Sequence, residues 1–442
     1  MTRKFWKSSN QKLINPDFSI IPDSEVRINY IKMRDRALDH IAPLFNNPQD
    51  SLKLLEKLPI VHTEENFQNW IILEIPRWAE WTVPQDLGGF FLPNFSESQS
   101  YKDYPWWRAI IFFIDMEYEK SHRDLFGSTS SYSKFIGKHS QNAYDYAWVN
   151  RIAAFLKAWC SHEKSTSIEQ LFGSINTPKI SLTHDVDAIR ITPKLRLTQG
   201  IQRFLARDLL NALRILFSRN HFDFLNYTLD LDSVFGFKST WFFYSGTAKS
   251  VKIRKHFLDP NYSLSDELLQ NLFLKLKKRG NVIGLHASFS SWQNSEILNN
   301  ERQQLEFKIR QFVLLIRQHW LRLNLLSTWS AQRTAGFLVD FTLGFNDRVG
   351  FRASTALPIK SKFEPLVCIT TVIMDSNLFE SRSMSKSYRE LMIDKILDEL
   401  ETFGGHVSIN WHPHTLSSAY DWKETYIYLL CSIKKRNIEV IA

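Results

Sequence analysis

The run Ile180-Ser181-Leu182-Thr183-His184-Asp185-Val186-Asp187 begins apolar and ends in an imidazole and two carboxylates. Burying unpaired carboxylates is costly, so two of them where a strand stops face a cleft, a metal or each other. The plain alternative is a turn whose aspartates cap the next element. By itself the motif leaves these readings level. Outward from it, the chain after Pro178 alternates strands with helices. Residues 180–183 and 239–244 read as strands. Ser263 and Ser265 are candidate caps for a helix that runs to about Lys278 and is ended by Gly280. Residues 281–285 form the next strand, with His286 at its carboxyl end. Helices are then expected over 301–316, 386–402 and 421–436, and strands over 366–374, 407–411 and 438–441. This alternation predicts an α/β fold with a largely parallel sheet, open or closed into a barrel. Asp185, Asp187, His286 and His412 all fall at carboxyl ends of expected strands, the face on which parallel barrels assemble active sites. Independent turn residues would not sort themselves this way, so the site reading gains over the turn reading.

At 442 residues the chain exceeds one ordinary core, and two domains are expected. Hydrophobic residues at 44% and charged residues at 23% are globular values. A helix begins near Ser24, and Ala147, Val149, Ile152, Ala153, Phe155, Leu156 and Trp159 mark one buried face of a helix over 144–160. The polar stretch 161–178, with Gly173 and Pro178, places the boundary, giving an amino-terminal accessory domain, 1–175, and a second domain, 176–442. The 14 Trp and 33 Phe could stack on sugars, but most are read as core; Trp78, Trp81, Trp106 and Trp107 are open to either reading.

The amino terminus is basic but lacks an apolar segment of signal-peptide length, and no stretch approaches the roughly 18 apolar residues of a membrane span. Three scattered cysteines without CxxC spacing argue against a disulfide framework and a thiolate metal site. A cytoplasmic protein is expected. Within a net charge of +9, Arg196, Arg203, Arg207 and Arg214 share one stripe of an amphipathic helix over 195–219. Such a helix can lie peripherally on an anionic membrane or hold a polyanionic substrate, although a packed helix with a solvated basic face carries more weight. No nucleic-acid motif accompanies the charge, so nucleic acid is not an expected partner. Serine-hydrolase, P-loop and dinucleotide fingerprints are also absent from the sequence.

With these residues in view, the sequence resembles the polysaccharide deacetylases of the NodB-type fold, carbohydrate esterase family 4, over roughly residues 178–442. The first family motif, paired aspartates at a strand end, matches Thr183-His184-Asp185-Val186-Asp187. The second, a strand-end histidine with another four residues on, is matched by His286 but meets Ser290 at the second position. The third, an arginine that holds the catalytic aspartate, falls on Arg317 or Arg322; the fourth falls on Asp340 and the fifth on His412 in Asn410-Trp411-His412-Pro413-His414. A divergent branch associated with bacterial capsule and O-antigen biosynthesis also resembles this chain in Gly344-Phe345, Gly350-Phe351-Arg352 and residues 144–151. The resemblance implies a NodB-like distorted (β/α) barrel with a separate amino-terminal α/β domain.

It also implies a function: hydrolysis of an N- or O-acetyl group on a sugar of a surface-polysaccharide precursor, with a carbohydrate partner that could be lipid-linked. A divalent metal, zinc by preference, would be held by Asp187 and His286. Because serine is a poor zinc ligand, His319, His184 or His414 would complete the set, and His319 is the assignment made. Asp185 would be the base, Arg317 its holder, His412 the acid, and Asp340 a further catalytic member. Arg322 and Arg352 are assigned to substrate, with a solvated loop equally open for Arg352. Every member also has a plain reading: His286 as a core histidine, Arg317 as an exposed helix-end cation, Asp340 as a turn or cap. Ser290 motivates an alternative of another class, a non-catalytic sugar-binding or scaffold protein on the same fold.

Overall fold

The computed structural model describes residues 24–61, 63, 66–95, 100–122, 131–190, 197, 200–201, 204, 209–217, 223–246, 259–361, 365–379, 384–417, 420 and 422–442. In the amino-terminal part, β1 (Trp70–Leu73) and β2 (Phe90–Pro93) pair antiparallel among helices Ser24–Ile41, Trp106–Ile114 and Trp148–Glu163. The main sheet contains β3 (Lys179–Val186), β4 (Thr240–Phe243), β5 (Val282–Ala287), β6 (Leu315–Gln318), β7 (Val339–Asp340), β8 (Ile359–Lys360), β9 (Val367–Cys368), β10 (Thr371–Met374), β11 (His406–Asn410) and β12 (Glu439–Ile441). Their order is β10-β11-β3-β4-β5-β6-β7-β9-β8, and β12 pairs with the first residues of β3. All pairings are parallel except β8 with β9.

β3 is buried from Ile180 to Val186 because neighbours flank it on both edges, and its apolar residues alternate with the polar ones that reach the site. Beyond β7 the chain returns to the opposite edge of the sheet. The Thr371 N–H donates to Leu343 O at 2.7 Å, and Gly344 bridges Thr371 in parallel. A Cβ at Gly344 would lie 2.7 Å from the Thr371 carbonyl oxygen, so this closure needs glycine. The sheet is thereby curled into the distorted (β/α) barrel that the sequence motifs imply.

Several elements differ from expectation. The helix expected over 301–316 is Ser295–Ile309, ended by Arg310 in the left-handed conformation (φ 54°), and the apolar run that follows becomes β6. Short apolar runs fit a strand as well as a helix, which is why periodicity misassigns it. The next expected cap, Ser263 or Ser265, is Asp266, whose carboxylate accepts the Leu268 N–H at 3.0 Å. Helix Trp148–Glu163 is buried on every side through Ser161, since it lies between the amino-terminal core and the barrel. Of the basic helix expected over 195–219, the stretch Leu209–Phe217 is described as helix; Arg196, Arg203, Arg207 and the Arg214 side chain lie outside the described residues. No helix among the described residues is long and apolar enough to cross a membrane.

The amino-terminal part is packed on the barrel rather than set apart from it. Phe345 and Leu357 belong to the same apolar cluster as Trp106, Phe155 and Tyr144. Trp106 and Trp107 are core, Trp78 stacks on Phe155 and His162, and Trp81 stacks on Phe403. Arg151 pairs with Glu399 at 2.6 Å across the junction. Arg352, assigned to substrate from sequence, is corrected here: it is fully buried, and its guanidinium meets Glu119 at 2.7 Å, Ser131 Oγ at 2.7 Å and Gly344 O at 2.7 Å. Such a pair tolerates loss of one partner poorly. Glu119→Ala is expected to lower the unfolding free energy by roughly 3–5 kcal/mol in denaturant titrations, while Glu119→Leu with Arg352→Met recovers most of it.

Candidate metal centre

Two strands that face each other across the barrel set the site. On β3, Thr183 and Asp185 share one side, with Asp187 two residues on, just beyond the strand end; His184 and Val186 share the other. On β6, Arg317 and His319, just beyond the strand end, have the same spacing. The lower rung is the pair Asp185 Oδ1 and Arg317 Nη1 at 2.8 Å. One rung higher, His319 Nε2 lies 3.7 Å from Asp187 Oδ1.

Arg317 is fully buried, with all its N–H donors engaged: Nε on Phe341 O (3.1 Å), Nη1 on Thr183 Oγ1 (2.9 Å) and Asp185, Nη2 on Thr371 Oγ1 (3.2 Å) and Ser408 Oγ (3.0 Å). It is therefore not the exposed helix-end cation of the plain reading. Asn410 Nδ2 donates to the other oxygen of Asp185 at 2.9 Å. Burial pushes the Asp185 carboxyl upward, but Arg317, His286 and His412 outweigh it and hold the group ionised, below the usual carboxylate range.

His286, opposite Arg317 in the β5–β6 register, donates Nδ1 to the Arg317 carbonyl oxygen at 3.2 Å. That bond turns Nε2 toward Asp187. His286 Nε2 and Asp187 Oδ1 lie 3.2 Å apart, both buried and without a hydrogen-bond partner among the described residues. A buried imidazole nitrogen and carboxylate oxygen so placed, with no other hydrogen-bond partner among the described residues, suit a cation between them. His319 is oriented likewise: Nδ1 lies 3.1 Å from Asp259 Oδ1, turning Nε2 inward. The turn that delivers it is strained, since Trp320 (φ 57°) and Leu321 (φ 48°) are both left-handed, a conformation costing about 1–3 kcal/mol each. It is held by Asn346 Nδ2 on Trp320 O at 2.9 Å and by Ser131 Oγ on Leu321 O.

Asp187, His286 and His319 bring one donor atom each to within 4.8 Å of one another. Two imidazoles and a carboxylate suit zinc or a similar borderline divalent ion, and the outward nitrogens already have the carbonyl and carboxylate partners such ligands take. Burial pushes Asp187 upward, yet the nearby His286, His319 and His412 imidazoles keep it well below the usual range. His286 is drawn down by burial and raised overall by Asp185 and Asp187.

His412 follows β11. Its N–H and Nδ1 both bond Asp375, at 3.0 and 2.6 Å, and its Nε2 faces Asp187 Oδ2 at 3.5 Å and Asp185 Oδ2 at 4.0 Å. Burial lowers its pKa, but Asp375, with Asp187 and Asp185, lifts it to about 10, so the ring carries a proton at neutral pH. Asp375 was not singled out from sequence, although it directly follows β10 and obeys the same strand-end rule; Asp259 has no local signal at all.

Other candidates are placed elsewhere. His184 is a core residue, with Nδ1 on Trp411 O at 2.8 Å and Nε2 beside Asp232 at 2.9 Å. His414 is half-buried next to His412, and desolvation together with His412 drives its pKa down to about 4; it is not part of the three-donor cluster. Asp340, assigned a catalytic role from sequence, is corrected: its carboxylate takes hydrogen bonds from Trp329, Gln332 and Thr342 and tethers helix Ser327–Thr334 to β7. Arg322 donates to Phe289 O at 2.6 Å and lies over the Phe289 and Trp292 rings, bracing the loop after β5.

If this cluster takes an ion, Asp259→Asn, which removes a partner of His319 rather than a ligand, should weaken zinc binding about 10- to 100-fold by calorimetry. Ser290→Ala should leave it unchanged; equal affinity in wild type and His319→Ala would remove His319 from the ligand set. No family model and no curated protein matches the chain. The solved structures that it resembles include polysaccharide deacetylases of carbohydrate esterase family 4. A Mycobacterium smegmatis protein assigned as a polysaccharide deacetylase matches at 15% identity over 60% of this chain and 87% of its own, with a TM-score of 0.39. A Bordetella bronchiseptica protein assigned to the same class and to O-antigen biosynthesis matches at 14% over 59% and 90%, TM-score 0.30. A family 4 pseudoenzyme, in a variant with restored activity, matches at 11% over 62% and 71%, TM-score 0.30.

Proposed function

We propose that the chain is a metal-dependent hydrolase that removes an acetyl group from a sugar of a surface-polysaccharide precursor in the cytoplasm, including a lipid-linked one. One observation carries this reading. Three convergent donors, Asp187, His286 and His319, lie beside two separately anchored proton carriers, Asp185 on Arg317 and Asn410, and His412 on Asp375. A structural zinc site would have no use for the second set.

A divalent ion held by Asp187, His286 and His319, zinc by the nature of the donors, would acidify a water and polarise the acyl oxygen. The remaining steps belong to the chain's own residues. Asp185, kept ionised by Arg317, accepts the proton of the attacking water. The water oxygen joins the acyl carbon, and the bond from that carbon to the sugar nitrogen or oxygen breaks. His412, protonated and oriented by Asp375, gives its Nε2 proton to the departing atom, so that acetate and the free amine or hydroxyl are released. Arg352 and Asp340 take no part, and Arg322 acts by bracing the loop after β5.

Ser290 favours a second reading, a sugar-binding protein that keeps the fold and does not hydrolyse. Acetate release from acetylated sugars separates the two. Asp185→Asn should lower the rate about 10²- to 10⁴-fold while zinc stays bound. Equal rates would exclude Asp185 as the base, and zinc-loaded wild type that binds sugar without releasing acetate would favour the second reading.

A further inference from the structure

Helix Leu209–Phe217 turns its apolar side chains away from the protein. Leu209, Leu210, Leu213, Leu216 and Phe217 are 37–83% exposed, while Ala212 is buried. Apolar residues at i, i+4, i+7 and i+8 normally lie against a core. The preceding helical positions repeat the anomaly: Leu197, Ile201 and Phe204 are 50–63% exposed. The two stretches touch, since a Cβ on Gly200 would fall 2.7 Å from Leu216 Cγ. The two exposed stretches therefore meet at Gly200 and Leu216, and soluble chains rarely leave apolar surface of this extent uncovered.

Charge identifies the cover. Residues 191–220 contain Lys194, Arg196, Arg203, Arg207, Arg214 and Arg219 against one acid, Asp208. A second copy of this chain would add a segment of the same net positive charge, and a neutral apolar groove would leave that charge unanswered. Exposed apolar side chains in a segment of this net positive charge suit the interface of an anionic bilayer, where apolar groups enter the acyl boundary and cations meet lipid phosphates. The segment follows β3, whose end carries Asp187, so docking would bring the membrane to the site-bearing face of the barrel.

We propose that helix Leu209–Phe217, with the apolar positions before it, docks the chain on an anionic membrane surface. This goes beyond the hydrolase reading and does not depend on it, because its test measures no turnover. The full-length protein is floated with phosphatidylcholine vesicles, with and without phosphatidylglycerol. Binding is expected to the anionic vesicles, at least about tenfold weaker to neutral ones, and reduced by salt. Leu210→Glu with Phe217→Glu should abolish it without lowering the melting temperature, and Arg203→Gln with Arg207→Gln should weaken it on anionic vesicles alone.

Three outcomes overturn the proposal. Wild type could fail to bind either vesicle. The glutamate variant could bind as wild type does. Or wild type could sediment as a dimer that the variant dissociates, with no vesicle binding, which would make the patch a self-interface. A fall in the variant's melting temperature together with absent wild-type binding would likewise show the patch packed on its own chain.

Discussion

Arg317 places a full positive charge where no solvent reaches it, and much of the barrel answers that charge. A buried guanidinium is tolerated only when an opposite charge and a complete set of acceptors surround it. Here the acceptors come from β3, the segment after β7, β10 and β11, strands on opposite sides of the curl. The contacts that compensate the charge therefore also join the two sides of the barrel. Asp185 is the anionic member, held ionised in a buried position where electrostatic interactions are stronger than in solvent. Closure of the barrel and the protonation state of the proposed base are one constraint.

The candidate metal cluster is stacked on that ion pair. One step along β3 beyond Asp185 gives Asp187, and one step along β6 beyond Arg317 gives His319, both on the same side because side chains alternate. Even the tautomer of His286 is set by Arg317, through its carbonyl oxygen. The third donor of the cluster is His319, and Ser290 is not among its members. His319 joins the cluster from just beyond β6, on a strained turn that Asn346 and Ser131 hold in place. Two left-handed residues in succession persist only where the surroundings fix them, and here they aim an imidazole.

Much of this was legible in the sequence. The strand-helix alternation after Pro178 points to a parallel sheet, and the sorting of Asp185, Asp187, His286 and His412 to strand ends picks out the face on which the structure gathers them. What was missed depends on long-range packing. β6 is too short for periodicity to separate from the helix before it, so the expected helix runs up to Arg317, which the resemblance assigns to holding Asp185 and which the structure encloses fully. Asp340 and Arg352 carry the same functional groups as catalytic residues, and only their partners, Trp329 and Gln332 for one and Glu119 for the other, reveal structural work. Asp375 stood at a strand end and was readable by the same rule. Asp259 was not, because nothing local ties it to His319, 60 residues away.

X-ray absorption at the zinc edge, on zinc-loaded wild-type protein and on His319→Ala, tests the arrangement most directly. Asp187, His286 and His319 as ligands predict an oxygen- and nitrogen-bound ion with two imidazoles at about 2.0–2.1 Å in wild type and one in the variant. A single imidazole in both proteins, or no retained zinc in either, would contradict it.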